Sequence, residues 1–464
     1  MKLSLGEVAR HIDAVGSFDP GPIAQAYSID SRTTQPGELF FAVKGERLDG
    51  HDYVEAALNA GAVAAVVGRE NRGRYSDQSR LMIVEDTLAA LQALATAVRR
   101  LWAKRLIAIT GSAGKTTTKE AIAGVLSTRM RVLKSRGNFN NHFGLPLNLL
   151  RLEPEDQIAV IEMGMSHAGE ITALARIAEP NMGVVTNVAP VHLEFFDSVA
   201  GIARAQYELI QSLPLTGVAV LNVDDEYVSQ FGRDFPGKVV MYGIKHPADI
   251  RAEEVHDLGA TGSDLTIVAH GSVTSAHLPL LGRHNVYNAL AAVAVALENA
   301  FSLEQAAAAL ATLKPADKRG EIVHLGGATV INDCYNSNPK ALESMLDTLA
   351  GMNPGEDGRR IVVAGEMLEL GPSAEDLHRR AGAHMAGKAQ MLIGVRGSAR
   401  GMVEAARRAG VDSTFFETPE EAGAWLAREV RSGDIVLLKA SRGVRLEKAI
   451  EVWKGSIAAA EAAH

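Results

Sequence analysis

The run RLIAITGSAGKTTTKE, residues 105–120, decides how this chain is read. Its first six residues are mostly apolar and β-favouring, Gly111 and Gly114 bracket a turn, and Lys115-Thr116-Thr117 opens a segment of helical composition. A strand, a glycine turn and a helix in that order direct successive backbone N–H groups and the positive end of a helix dipole at an anion. The expected cradle is Gly111, Ser112, Ala113, Gly114, Lys115, Thr116 and Thr117. Within it Lys115 would bridge the β- and γ-phosphates of a nucleotide and the Thr116 hydroxyl would bind Mg²⁺. The spacing departs from the standard phosphate loop in one respect: Ile109 stands where the earlier glycine is usual. By itself the loop indicates a user of nucleoside triphosphates.

Working outward, the chain divides into three α/β blocks. Residues 1–100 mix short strand-like runs near 38–43 and 62–67 with helical segments. Residues 101–314 alternate strands at 105–110, 157–163, 182–188 and 217–223 with helical stretches, which predicts a mostly parallel sheet with helices on both faces. Helices at 284–300 and 303–313 close this block, and Lys314-Pro315 marks its boundary. Residues 315–464 repeat the alternation, with strands at 329–333, 360–364, 391–395 and 434–439 and four helical runs between and after them. The first of these strands has no G-x-G-x-x-G turn after it, so the block is Rossmann-like without a dinucleotide site. The expected fold class is α/β with three domains: a small α/β N-terminal domain, a central P-loop-type mostly parallel sheet with helices on both faces, and a C-terminal Rossmann-like domain.

Bulk composition narrows the function. A chain of 464 residues exceeds one ordinary core. Hydrophobic residues at 47% and charged residues at 22% fit a soluble globular protein. A net charge of −8 argues against a general nucleic-acid binder, whose affinity rests on neutralising phosphates. Cys334, the single cysteine, excludes an intramolecular disulfide and a thiolate zinc cluster. The start, MKLSLGEVARHIDA, lacks the apolar core of a secretion signal, and no run reaches the roughly 18 apolar residues of a membrane span. A cytosolic protein is expected.

Two further side chains suit a metal. Glu162 ends the apolar strand Ile158-Ala-Val-Ile-Glu, and the carboxyl edge of a parallel sheet is where such folds bind ligands, so it can hold Mg²⁺. Taken alone, an acid after a strand is more often a solvated loop residue. His192 follows the strand at 182–188, and a lone histidine is more often structural than a ligand.

Read together, these segments resemble the Mur ligase family across nearly the whole chain. The resemblance is carried by GSAGKTTTKE (111–120), RGNFNNHFGLP (136–146), IEMGMSHAGE (161–170), HLEFFDS (192–198) and GRHNVYNAL (282–290). It continues in DSR (30–32) and in GELFFAVKG through DGH (37–51). NDCYNSNP (332–339) and GEMLELG (365–371) look like signatures of the branch that attaches D-alanyl-D-alanine, and the Asp-Asn-Pro-Arg signature of the third-amino-acid adders is absent.

The resemblance implies ATP and two Mg²⁺ ions as cofactors, UDP-N-acetylmuramoyl-tripeptide and D-Ala-D-Ala as substrates, and an acyl-phosphate intermediate. A monomer with no nucleic-acid partner and no membrane span is expected. The resemblance also implies a substrate role for Asp30, Ser31 and Arg32 at the uridine end, and for Asn138, Asn140, Asn141, Ser166, Tyr335, Asn336, Asn338 and Ser441. Asn285 and Asn288 would present amide edges to adenine, Arg319 would reach the γ-phosphate, Asp333 the ribose or a phosphate-bound water, and His192 the second Mg²⁺. Without the resemblance Arg319 fits a surface ion pair and Asp333 a turn. The domains would be 1–100 for the UDP-substrate, 101–314 for ATP, and 315–464 closing on ATP and binding the dipeptide. The alternatives are a family member adding the third amino acid and a non-catalytic nucleotide-binding homologue.

One departure bears on the metal. The family usually places a carbamylated lysine about 14 residues after the metal histidine, and here Gln206 occupies that position, with no lysine between Lys134 and Lys238. Losing one negative charge beside a divalent cation removes several kcal/mol of attraction at an effective dielectric of about 20. Gln206 is expected to ligate through its side-chain oxygen or a water, with Glu208 or the substrates supplying the missing charge; alternatively it only packs. Smaller departures are His142 for a usual Glu, Ser166 for a common Asn, and Ala440 for a usual Gly.

Overall fold

The computed structural model describes residues 1–191 and 193–462. The strand Arg105–Thr110 lies within a nine-stranded sheet. Its side chains alternate between two covered faces: Leu106 and Ala108 join one apolar cluster, Ile107 and Ile109 another. That is the pattern of a parallel strand with helices on both sides. From one edge, the sheet runs through strands 272–278, 263–269, 250–257, 238–243, 218–222, 182–185, 105–110, 158–162 and 132–134. All neighbours are parallel except the pairs joining 250–257, 263–269 and 272–278.

After the strand 105–110 the chain goes to the far edge, returns to 158–162, and then crosses to 182–185 on the other side. This reversal opens a crevice at the carboxyl ends of the strands, where α/β folds bind ligands. Register fixes what meets there, since Ile109 pairs with Glu162 and Thr110 with Val185.

The N-terminal sheet is four parallel strands, Tyr27–Ser28, Leu39–Phe41, Ala64–Gly68 and Leu81–Val84. The helix Thr87–Trp102 leads from it into the central sheet. Asp86 caps its start, accepting from the N–H groups of Leu88 and Ala89 (2.8 and 2.9 Å), and Ala103 ends it in the left-handed conformation. The buried face of this helix (Leu91, Leu94, Val98, Trp102) merges Leu39, Phe41 and Val66 of the first sheet with Leu106 and Ile161 of the second in one core.

The C-terminal sheet has six strands in the order 321–325, 328–333, 435–439, 360–365, 391–395 and 412–416, of which only the first pair is antiparallel. Its helix Pro339–Gly351 starts cleanly: Asn338 Oδ1 accepts from Ala341 N (2.8 Å), and Pro339 occupies the first turn, where an N–H would be unpaired.

The sequence reading placed the core strands and omitted several at edges and ends. Strands 238–243, 250–257, 263–269 and 272–278 in the middle, and 321–325 and 412–416 in the third sheet, were absent from it. Ile250–Asp257 and Ser272–Leu278 carry charged or hydroxyl residues along a half-exposed face, so they lack the continuous apolar run of a doubly covered strand. Among the described residues no helix is long and apolar enough to cross a membrane.

Candidate active site

The phosphate loop needs glycine at both of its turning points. Gly114 has φ +82° and precedes the helix Lys115–Ser127, and Gly111 has φ +139° with Thr186 Oγ1 2.0 Å from where its Cβ would stand. Thr186 thereby closes the turn, and the position of Ile109 within the strand leaves no need for an earlier glycine. Lys115 Nζ donates to Gly111 O across the loop. Burial pushes the Lys115 ammonium below the usual lysine range; Glu162 opposes that shift and Arg319 adds to it.

Toward the strand Ile158–Glu162 the loop meets charge. The Thr116 hydroxyl donates to Glu162 Oε2 (2.8 Å), while Asn140 Nδ2 donates to Glu162 Oε1 (2.9 Å) and the backbone N–H of Glu162 to Ser135 Oγ (2.9 Å). Glu162 is 2% exposed. One hydroxyl and one carboxylate beside a phosphate cradle fit Mg²⁺, which takes few protein ligands and completes its shell with phosphate and water oxygens. Among the described residues there is no group of three or more His, Cys, Asp and Glu side chains that could hold a metal. His192 lies outside the described residues.

Toward the strand Met182–Val185 the loop meets neutral groups. Ser112 N donates to Asn187 O (2.8 Å), Ala113 N to Asn187 Oδ1 (3.1 Å), and Thr186 Oγ1 to Ala113 O (2.6 Å). Gln206, on the helix Val199–Gln211 and 1% exposed, completes this side. Its amide satisfies both ends when Nε2 donates to Asn187 O (3.0 Å) and Oε1 accepts from Ser112 N (3.0 Å) and Ser112 Oγ (2.9 Å). The reversed amide, with Nε2 donating to Ser112 Oγ, leaves its oxygen facing acceptors. Glu208 turns elsewhere, accepting from Gly169 N (2.7 Å), Thr172 N (2.9 Å) and Thr172 Oγ1 (3.0 Å) at the start of the helix Glu170–Ala178. Both side chains expected to serve a second ion are thus engaged in hydrogen bonds within the fold.

The C-terminal domain reaches this centre directly. Arg319 donates to Thr116 Oγ1 (3.0 Å) and stacks over the Tyr335 ring at 4.1 Å. Lys340 lies 4.0 Å from Asp225, and Ser344 Oγ is 3.0 Å from His284 Nδ1. A Cβ at Gly371 (φ +55°) would stand 3.3 Å from the backbone of Leu193 and Glu194, which brings the segment 365–371 onto the middle domain. Ser441 draws the C-terminal signatures together, accepting from Leu368 N (2.9 Å) and donating to Ser337 O (3.2 Å). Asp333 is paired with the buried Lys439, which also donates to Asn336 O (3.0 Å). Asn336 Oδ1 accepts from the adjacent Ser337 N (2.9 Å).

Other expected residues serve the scaffold or stand apart. Asn285 and Asn288 are buried; Asn288 Nδ2 donates to Asn285 Oδ1 (2.8 Å), and Thr118 Oγ1 donates to Asn288 Oδ1 (2.9 Å), joining two helices behind the loop. Asn141 Oδ1 accepts from Gly144 N (2.9 Å), Ser166 N donates to Glu170 Oε2 (2.6 Å), and Asn138 is exposed. Asp30 and Arg32 pair with each other (2.7 Å) around Ser31 in the first domain. His51 donates through Nδ1 to Asp49 (2.6 Å) and accepts at Nε2 from Gly68 N (2.9 Å), so it pins a turn. The sequence reading passed over Thr186, Asn187 and Lys119. Only Lys119 carried a signal: it follows Lys115 by four residues, on the same helix face.

Fold and site define a nucleotide-dependent enzyme in which a phosphate-loop sheet is joined to two further α/β domains. The Mur ligase middle domain matches residues 109–296, the Mur ligase glutamate ligase domain residues 318–442, and the Mur ligase family catalytic domain residues 24–99. The chain belongs to the Mur ligase family. It is 36% identical over 436 residues to the UDP-N-acetylmuramoyl-tripeptide–D-alanyl-D-alanine ligase of Bacillus subtilis, covering 92% of this chain and 93% of that protein. It is also 36% identical to the enzyme of the same name from Escherichia coli, covering 77% and 78%. Among solved structures, MurF from Acinetobacter baumannii superposes with a TM-score of 0.88 at 28% identity, covering 98% and 99% of the two chains. MurF ligase from Thermotoga maritima in complex with ADP gives 0.80 at 28% identity, covering 94% and 98%.

Proposed function

We propose that this chain ligates D-Ala-D-Ala to the terminal carboxylate of UDP-N-acetylmuramoyl-tripeptide, consuming ATP through an acyl phosphate and releasing ADP and phosphate. The observation that carries this reading is the meeting of Arg319, Thr116 and Glu162 from two domains at the mouth of the phosphate loop. The named activity of relatives that match this chain over most of their length supports it.

The physical task is to hold a carboxylate against a triphosphate. Lys115 exchanges Gly111 O for β- and γ-phosphate oxygens, and Arg319 leaves Thr116 for the γ-phosphate as charge moves onto it. Thr116 and Glu162 would hold the ATP-bound Mg²⁺, with Asn140 fixing the second carboxylate oxygen. Bound Mg²⁺ supplies neutralisation of the phosphate charge. On the neutral side this chain offers an amide in place of a carbamate, so for a second Mg²⁺ the balancing charge would come from the substrates. Asp30, Ser31 and Arg32 serve the uridine end in the first domain. Tyr335, Asn336, Asn338 and Ser441 serve the dipeptide in the third, whose closure over ATP excludes water from the acyl phosphate. The reaction belongs in the cytoplasm, where ATP is supplied.

The test is phosphate release by purified protein given ATP, Mg²⁺ and UDP-muramoyl tripeptide with either D-Ala-D-Ala or single amino acids. Release stimulated by the dipeptide is expected. Stimulation by meso-diaminopimelate or lysine but not by the dipeptide would overturn the assignment.

A further inference from the structure

Among the described residues Lys119 is the one lysine that ranks with the largest fully buried side chains, at 0% exposure, and the ligation chemistry above makes no use of it. It stands one helical turn beyond Lys115 on the helix Lys115–Ser127, beneath the phosphate loop. Its Nζ donates to Ser135 O (3.0 Å) and Gly137 O (3.5 Å), lies 3.1 Å from Glu120 Oε1, and lies 4.0 Å from Glu162 Oε2. Lys134 engages the other oxygen of Glu120 from the surface. A buried ammonium is tolerated only when paired and hydrogen-bonded. Here the pairing is shared, for the ammonium faces two carboxylates and one of them is the carboxylate offered to Mg²⁺.

We propose that Lys119 is a positioning residue, a built-in counter-ion that neutralises Glu162 before the metal arrives and then competes with the metal for it. The inference rests on the reading of Glu162 as a Mg²⁺ ligand. A fixed positive charge behind the carboxylate weakens the pull of Glu162 on any cation in front of it, so the ion binds firmly only when ATP phosphates join the shell. The carbonyls of Ser135 and Gly137 tie the same lysine to the segment that carries Asn138, Asn140 and Asn141. The metal carboxylate and the segment expected to contact substrate therefore share one anchor.

The test titrates Mg²⁺ into protein held at fixed ADP and follows the thermal midpoint, in wild type, Lys119→Met, Lys119→Arg and Glu162→Gln. Lys119→Met is expected to lower the Mg²⁺ concentration at half-effect by at least about tenfold, the Coulomb consequence of removing one buried positive charge held 4.0 Å from the metal carboxylate. Lys119→Arg keeps the charge and should stay near wild type. A half-effect concentration that is unchanged or raised in Lys119→Met marks the lysine as structural and overturns the proposal. Should Lys119→Met not fold, Lys119→Gln and Lys119→Arg decide between the same outcomes. Glu162→Gln separates the two ideas: if it leaves Mg²⁺ dependence unmoved, the ligand reading fails. If it weakens Mg²⁺ binding while Lys119→Met changes nothing, only the counter-ion proposal fails.

Discussion

The two flanks of the phosphate loop are built from opposite materials. On the side of the strand Ile158–Glu162 stand Lys119, Glu120, Glu162 and, arriving from the C-terminal domain, Arg319. On the side of the strand Met182–Val185 stand Thr186, Asn187, Ser112 and Gln206, all uncharged. A charged flank responds to ions and can be tuned by them. A flank of amides and hydroxyls holds shape instead, since neutral hydrogen bonds are directional and insensitive to ionic strength. The loop is therefore electrically set from one side and mechanically clamped from the other.

The largest effect should come from Lys115→Ala, which removes the donor aimed at the transferred phosphate. Dipeptide-dependent phosphate release is expected to fall roughly 10³-fold, the scale of losing a preorganised donor to developing charge. Turnover that survives undiminished would sink the assignment of the loop. Next, Glu162→Gln should reduce turnover by about 10²-fold and shift its Mg²⁺ requirement upward, whereas a variant on the neutral flank should leave that requirement alone. Gln206→Ala is that variant. Losing two or three hydrogen bonds at about 0.5 kcal/mol each predicts a KM for ATP raised by roughly tenfold, with no response to added or removed bicarbonate. A Mg²⁺ requirement that moves in Gln206→Ala would erase the distinction between the flanks.

The smallest effect concerns the seam between the second and third domains. Burial pushes His284 down to about 4, with Asp333 opposing and Lys439 adding to the shift. A histidine whose folded pKa lies below its unfolded value of about 6.5 binds fewer protons when folded. Its contribution to stability is therefore complete above pH 6.5 and is lost as pH falls toward 4. Thermal midpoints measured between pH 7 and pH 4 should drop more steeply for wild type than for His284→Gln, by the equivalent of about 1–3 kcal/mol. Parallel curves would show that His284 titrates freely in the folded protein.

How much of this was legible beforehand follows from the range of each interaction. The strand–turn–helix around Lys115 and the carboxylate at the end of the strand Ile158–Glu162 are local patterns, and apolar periodicity exposes them. Lys119 is different: a lysine at helical spacing reads as a solvated face, and only the return of the chain at Ser135 and Glu162 shows that it is enclosed. Gln206 was noticed because a lysine was expected there, but its bonding to Ser112 spans 94 residues and no spacing rule reaches that far. Asn285 and Asn288 were legible as a motif, but the bonding of their amides to each other and to Thr118 is a relation invisible without the packed helices. The half-exposed strands between 250 and 278 escaped because alternation diluted by charged residues resembles a polar loop.

The contact at Gly371 is a tight meeting point of the third domain with the middle one. The glycine's backbone lies against Leu193 and Glu194, with little room there even for a methyl group. A rotation about a hinge that lifts the third domain away would open this contact. A molecule wedged at this point would hold the enzyme ajar, giving an inhibitor that need resemble neither nucleotide nor peptide.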